Sequence, residues 1–155
     1  MPRISAGLLM YRRRTGMLEV LLVHPGGPFF AKKDLGDWSI PKGEVDGTDA
    51  DEFAAAKREF EEETGMKPEG RFISLGSITQ AGGKVVHAWA LEGDCDPANI
   101  RSNTFKMEWP PRSGRVQEFP EVDRAAFFAM EMARQKIKPT QAEFLGRLQD
   151  LFQIR

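Results

Sequence analysis

At 155 residues, with 41% hydrophobic and 29% charged side chains, the chain has the size and balance of one globular domain over 1–155, with little room for a second domain or a long disordered arm. A formal net charge of -1 lacks the general basic field of a duplex nucleic-acid binder, though local cations can still hold a small anion. The lone cysteine, Cys95, excludes an intrachain disulfide, no run nears the roughly 20 apolar residues that span a bilayer, and Ala6–Tyr11 is too short for a signal-peptide core, so a soluble, cytoplasmic protein is expected.

Ser5–Tyr11 and Glu19–Val23 are apolar runs on either side of Arg12-Arg13-Arg14-Thr15-Gly16, a spacing that predicts a hairpin with the arginines in a solvated loop. His24 to Gly36 is rich in Pro and Gly, but no GK[ST] follows its glycines, so it is no P-loop. Its Phe29 and Phe30 suit either anchoring of the loop or stacking on a base. Trp38–Ile40 is expected as a short strand leading into Pro41-Lys42-Gly43, where the glycine lets backbone approach a ligand.

A helix is predicted from a cap among Thr48–Asp51 through Thr64, ended by Gly65, with Phe53, Ala56 and Phe60 at core spacing. Residues three and four apart share a helix face, so Glu59, Glu62 and Glu63 converge there. Three carboxylates on one face repel one another. A hard divalent cation such as Mg²⁺ or Mn²⁺, which takes oxygen ligands and bridges to phosphate, explains the pattern. A solvated helix face balanced by Lys57 and Arg58 is the plain alternative.

Arg71–Thr79 and Lys84–Leu91 flank Gln80-Ala81-Gly82-Gly83 and read as a second hairpin, on which Val85, His87, Trp89 and Leu91 share a face. Nothing nearby in sequence poises His87 as a base. A polar connection leads to an alternating strand over Thr104–Trp109 and then to a basic turn, where Arg112 and Arg115 are either phosphate contacts or solubilising charges. The end reads as two helices, one capped by Asp123 over Arg124–Lys136 and one capped by Thr140 over Gln141–Phe152. The fold class is therefore α/β, a mixed sheet between helical layers.

The string Trp38-Ser39-Ile40-Pro41-Lys42-Gly43-Glu44, then a helix, then Arg58-Glu59-Phe60-Glu61-Glu62-Glu63-Thr64-Gly65-Met66 resembles the signature of the Nudix hydrolases. That signature runs G, five residues, E, seven residues, then REUxEExGU with U apolar, and the second half is filled without a mismatch. In the first half, counting from Gly43 puts the first acidic position at Asp49, and counting back from Arg58 puts it at Ala50. The box loop is one residue longer, with Asp49, Asp51 or Glu52 in place of that glutamate.

The resemblance implies an α/β/α sandwich and metal-dependent hydrolysis of a nucleoside diphosphate linked to another moiety, such as a dinucleoside polyphosphate or an NTP. It implies Glu59, Glu62, Glu63 and the Lys42 carbonyl as metal ligands, Arg58 as the residue orienting them, and Arg3, Lys42, Lys84, Arg112 and Arg115 toward the substrate. The general base is open among Glu59, Glu63, Glu108 and Glu118. Arg3–Gly7, the WSIPKGE string and Gly83–Val86 resemble the diadenosine polyphosphate hydrolase branch most. A non-catalytic nucleotide or RNA sensor on the same fold is the alternative function, and a monomer or homodimer is expected.

Overall fold

The computed structural model describes residues 3–152. Strands β1 (Ile4–Arg14) and β2 (Met17–Pro25) form the expected hairpin, turning at Thr15 and Gly16, whose φ values are 51° and 78°. They pair only from Tyr11 opposite Val20 to Arg14 opposite Met17. Beyond that the two strands part, and residues 38–44 wedge between them. Ser39 exchanges backbone hydrogen bonds of 2.8 and 3.0 Å with Val23, the Leu8 amide donates to the Pro41 carbonyl at 3.1 Å, and β3 (Lys42–Glu44) pairs with Ser5–Gly7. Gly7 permits this approach, since a Cβ there would stand 2.6 Å from the Pro41 oxygen. The expected strand over Trp38–Ile40 is reduced to isolated bridges, Ser39 with Val23 and Trp38 with Ile137.

The remaining elements are α1 (Glu52–Thr64), β4 (Phe72–Thr79), β5 (Val85–Glu92), β6 (Thr104–Glu108), β7 (Val116–Pro120), β8 (Val122–Ala129), α2 (Met130–Lys136) and α3 (Ala142–Asp150). The main sheet runs β4-β5-β1-β2-β8, with β3 on β1; β1 and β5 are parallel and the other pairs antiparallel, so the sheet is mixed. Strands β6 and β7 form a separate two-stranded ribbon.

Strand alternation builds the two sides of the core. Ala6, Leu8 and Met10 of β1 pack with Ala55, Ala56 and Phe60 of α1, while Leu9 and Tyr11 join Met130 and Ala133 of α2 and Phe144, Leu145 and Leu148 of α3. This is the α/β/α layering expected from the sequence.

Three local expectations are corrected. The arginine triplet lies in β1 rather than in a loop: Arg12 bonds Glu19 at 2.8 Å and Asp94 at 2.7 Å and lies 3.7 Å from the centre of the Phe127 ring, while Arg13 covers Phe152. Asp123 caps no helix. Residues 122–129 form β8, and the helix there shrinks to α2, because Ala126 and Phe128 pack on one face of the sheet while Ala125 and Phe127 pack on the other. The last helix begins at Ala142 without a side-chain cap, so Thr140 is not its N-cap.

Gln141 is fully buried, yet it is polar for a reason: its Oε1 accepts from the Ile40 amide at 3.0 Å and its Nε2 donates to Ser39 Oγ at 3.0 Å. It thus satisfies backbone of the wedge that no strand partner reaches. Gln141→Leu should cost about 1–3 kcal/mol, the penalty of an orphaned buried amide, measured by urea unfolding; an unchanged midpoint would mean the wedge holds itself.

Candidate active site

The carboxylate helix is set at both ends by local chemistry. Asp51 accepts from the Ala54 amide at 2.8 Å as N-cap, and Gly65, at φ 76°, ends the helix with its amide on the Glu61 carbonyl at 2.7 Å. Phe60 is fully buried, which turns Glu59, Glu62 and Glu63 toward β3 and the β7–β8 junction.

Arg58 organises this face. Its Nε and Nη2 each reach Asp49 at 2.8 Å, and its Nη1 donates to Glu59 at 2.9 Å and Glu62 at 3.1 Å. Nη2 also bonds the Glu44 carbonyl at 3.1 Å. Of the acids weighed for the first box position, the structure therefore selects Asp49 as the one joined to Arg58. Ahead of the helix the loop is tied to itself, the Thr48 amide donating to the Asp46 carboxylate at 2.8 Å and the Asp46 amide to the Asp49 carboxylate at 3.0 Å. The Arg58 fork holds the Asp49 carboxyl at about 2, well below the ordinary value.

Behind the fork lies the more buried part of the site. Burial, reinforced by Glu59, pushes Glu63 up to about 8, and one of its oxygens accepts from the Lys42 amide at 3.3 Å. Burial also raises Glu59, against the pull of Arg58. Gly43 makes room for Glu59, because a Cβ at 43 would fall 2.1 Å from that carboxyl group. Lys42 is pushed down to about 8 by burial, then by Lys84 and Lys138, against the attraction of Glu63 and Glu59. A small open cleft is lined by Val23, Pro25, Ser39, Lys42, Glu63, Glu121, Val122 and Lys138.

Glu121, at the junction of β7 and β8, was not marked by any sequence motif. Burial and then Glu62 raise its carboxyl above the ordinary range. The Phe119-Pro120-Glu121-Val122 string carries no metal or catalytic spacing, and Lys138 stands alone between Ile137 and Pro139, so only the tertiary fold reveals them.

The other expected residues lie elsewhere. Arg3 is exposed and pairs with Glu44 at 3.3 Å. Arg112 and Arg115 lie in the turn of the β6–β7 ribbon, outside the cleft lining, and the Arg112 amide donates to Glu108 at 2.8 Å. Glu118 stands opposite Lys106 on that ribbon. His87 stacks on Trp89 at 3.9 Å and reaches Glu52 at 3.3 Å and Ser74 at 3.1 Å, also outside the cleft lining. Phe29 is exposed and meets Trp109 edge-on at 5.3 Å.

Among the described residues, no three Asp, Glu, His or Cys side chains are already gathered as an ion's ligands. The donor set nevertheless suits a hard divalent cation: Glu59, Glu62, Glu63 and Glu121 offer only oxygen, and Gly43 leaves the Glu59 carboxyl uncovered by a side chain.

A layered mixed sheet with an arginine-braced acidic helix at a cleft defines a class of fold and site that known proteins share. The NUDIX domain model matches residues 1–148, and the chain belongs to that family. A Caenorhabditis elegans Ap4A hydrolase in a binary complex is similar at 24% identity, over 95% of this chain and 96% of that one, with a TM-score of 0.65. The NUDIX domain of Shewanella oneidensis NrtR with ADP ribose is similar at 15% identity, over 99% and 90%, with a TM-score of 0.66. A MutT protein from Methanosarcina mazei Go1 is similar at 18% identity, over 99% and 97%, with a TM-score of 0.63. No curated protein matches the chain.

The Asp49–Arg58 fork has a definite acid signature. A carboxyl held at about 2 when folded stabilises the protein fully above its unfolded value near 3.9, and that contribution is lost as pH falls through about 2. Asp49→Asn should cost about 1–3 kcal/mol at neutral pH and flatten the fall in stability between pH ~4 and ~2, read from denaturant midpoints across pH. An equally steep acid limb in the variant would place the fork's energy elsewhere.

Proposed function

We propose that the chain is a metal-dependent pyrophosphohydrolase that cleaves a nucleoside diphosphate linked to another group, a dinucleoside polyphosphate or NTP being the favoured substrates. The observation that carries this reading is one cleft with both carboxylates and lysine side chains on its walls, backed by Arg58 on the carboxylate helix. Family membership and the fold shared with the Ap4A hydrolase support it.

Glu59, Glu62, Glu63 and the Lys42 carbonyl would hold Mg²⁺ or Mn²⁺, with Glu121 as a further oxygen donor. When bound, such an ion neutralises the pyrophosphate and acidifies the attacking water. Arg58 orients Glu59 and Glu62 through its Nη1 rather than touching substrate. Lys42, with its side chain at the cleft, meets phosphate oxygen, while Arg3 is exposed and paired with Glu44. For the general base, Glu63 and Glu121 are better placed than Glu108 or Glu118, since both line the cleft. A sensor of nucleotide or RNA is the second reading, favoured by the fold shared with the NUDIX domain of NrtR.

Product release from dinucleoside polyphosphates, NTPs, nucleotide sugars and ADP-ribose, with Mg²⁺ or Mn²⁺, separates the two. Wild type should turn over at least one of these, and Glu62→Gln should lower kcat by about 10² or more. Gly43→Ala, which changes no charge, should lower it as well by displacing Glu59. Tight nucleotide binding without turnover would establish the sensor.

A further inference from the structure

Ser74, His87 and Glu52 meet away from the cleft, none of them among its lining residues. The Glu52 carboxylate, which only accepts, lies 3.3 Å from His87 Nδ1, so in the neutral ring Nδ1 carries the proton and Nε2 presents its lone pair. Ser74 Oγ stands 3.1 Å from that Nε2 and donates to it. A hydroxyl on one imidazole nitrogen and a carboxylate on the other is the arrangement in which the ring can take the hydroxyl proton while the acid holds it in the right tautomer.

Three elements build this group: Glu52 opens α1, Ser74 lies in β4 and His87 in β5. The β4–β5 register shifts between Ser74 and Gly76, and Gly76, at φ 77°, donates its amide to Ser74 Oγ at 3.1 Å. That donor stabilises negative charge as it grows on the oxygen. Trp89, opposite Ser74 in the ladder, stacks on the His87 ring with centres 3.9 Å apart and planes 21° from parallel, which fixes the plane of the base. Trp89 also meets Phe53 at 5.2 Å, and Phe53 meets Phe72 at 4.9 Å, so a half-buried aromatic surface adjoins the serine. Ser74 itself is exposed, within reach of a reagent. A mere tether between α1 and the sheet needs Glu52 and His87, but neither an exposed hydroxyl on the far nitrogen nor an amide aimed at that hydroxyl.

We propose that Ser74, His87 and Glu52 form a second hydrolytic site, which acts on activated esters carrying a short apolar acyl group. Ser74 Oγ attacks the acyl carbon as its proton passes to His87 Nε2; the bond to the leaving oxygen then breaks, and that oxygen takes the proton. Water, giving a proton to the same nitrogen, attacks the acyl-serine, and the proton returns to Ser74 Oγ as the carboxylic acid departs. Ser74 and His87 are catalytic residues in this step, and Glu52 is a positioning residue. The Gly76 amide is engaged with the nucleophile rather than with a substrate oxygen, so the site suits esters whose leaving group departs readily. It needs no metal ion and stands apart from the pyrophosphohydrolase reading.

Fluorophosphonate labelling and hydrolysis of p-nitrophenyl butyrate, both in EDTA so that no metal-bound water contributes, test this on wild type, Ser74→Ala, His87→Gln and Glu52→Gln. Peptide mass spectrometry should place the fluorophosphonate adduct on Ser74, and Ser74→Ala should abolish it together with the ester hydrolysis. His87→Gln should slow both by about 10² or more, the scale of general-base catalysis. Glu52→Gln keeps the side-chain shape but offers an N–H to Nδ1, so it should lower kcat at least about tenfold with KM held, a split that loss of a structural tether does not produce. Urea midpoints identify any variant that fails to fold, and Ser74→Ala, an exposed change, keeps the test decisive in that case. An adduct elsewhere or none at all, or labelling as fast in His87→Gln as in wild type, would overturn the site.

Discussion

The site depends on a single guanidinium. Unit charges about 4 Å apart near a protein surface interact by about 4 kcal/mol, a large part of the 5–15 kcal/mol that holds a typical domain together. A helix face carrying Glu59, Glu62 and Glu63 would spend that stability on repulsion. Arg58 offsets it by binding Glu59 and Glu62 with one nitrogen while Asp49 fixes the other two from outside the helix. Asp49 therefore holds the residue that makes the carboxylate face tolerable, and the longer loop matters less than the acid it delivers.

Much of this was legible in the sequence because it is local. The Asp51 cap, the Gly65 stop and the spacing of Arg58, Glu59, Glu62 and Glu63 lie within a few turns of helix, where residue identity and geometry are tightly linked. The hairpins were readable for the same reason, although β1 extends through the arginines because Phe127 and Phe152 give their side chains somewhere to lie. Strand β8 was misread for a physical reason. Both of its faces are covered, so Ala125, Ala126, Phe127 and Phe128 show no polar alternation, and an apolar run of that length fits a helix equally well.

Glu121 and Lys138 were beyond any local rule. Each is a solitary charged residue in a connecting segment, and each gains meaning only from β8 and from the α2–α3 link reaching the cleft. Arg112 and Arg115 illustrate the reverse case. Their composition suits phosphate, but the ribbon carries them to its turn, away from the residues that line the cleft. Residue type proposes the chemistry, and topology decides who takes part.

The wedge of residues 38–44 carries a consequence for biosynthesis. Its Ile40 amide is satisfied by Gln141, a bond that closes a span of 101 residues. Such a closure is among the slowest and entropically most demanding steps in a chain of this length. A growing polypeptide exposes the whole acidic helix long before Gln141 emerges, so it carries the charges of the site before it has the brace for the loop opposite them. In that interval the carboxylates stand without a finished cleft, whose wall closes only when Gln141 reaches the Ile40 amide.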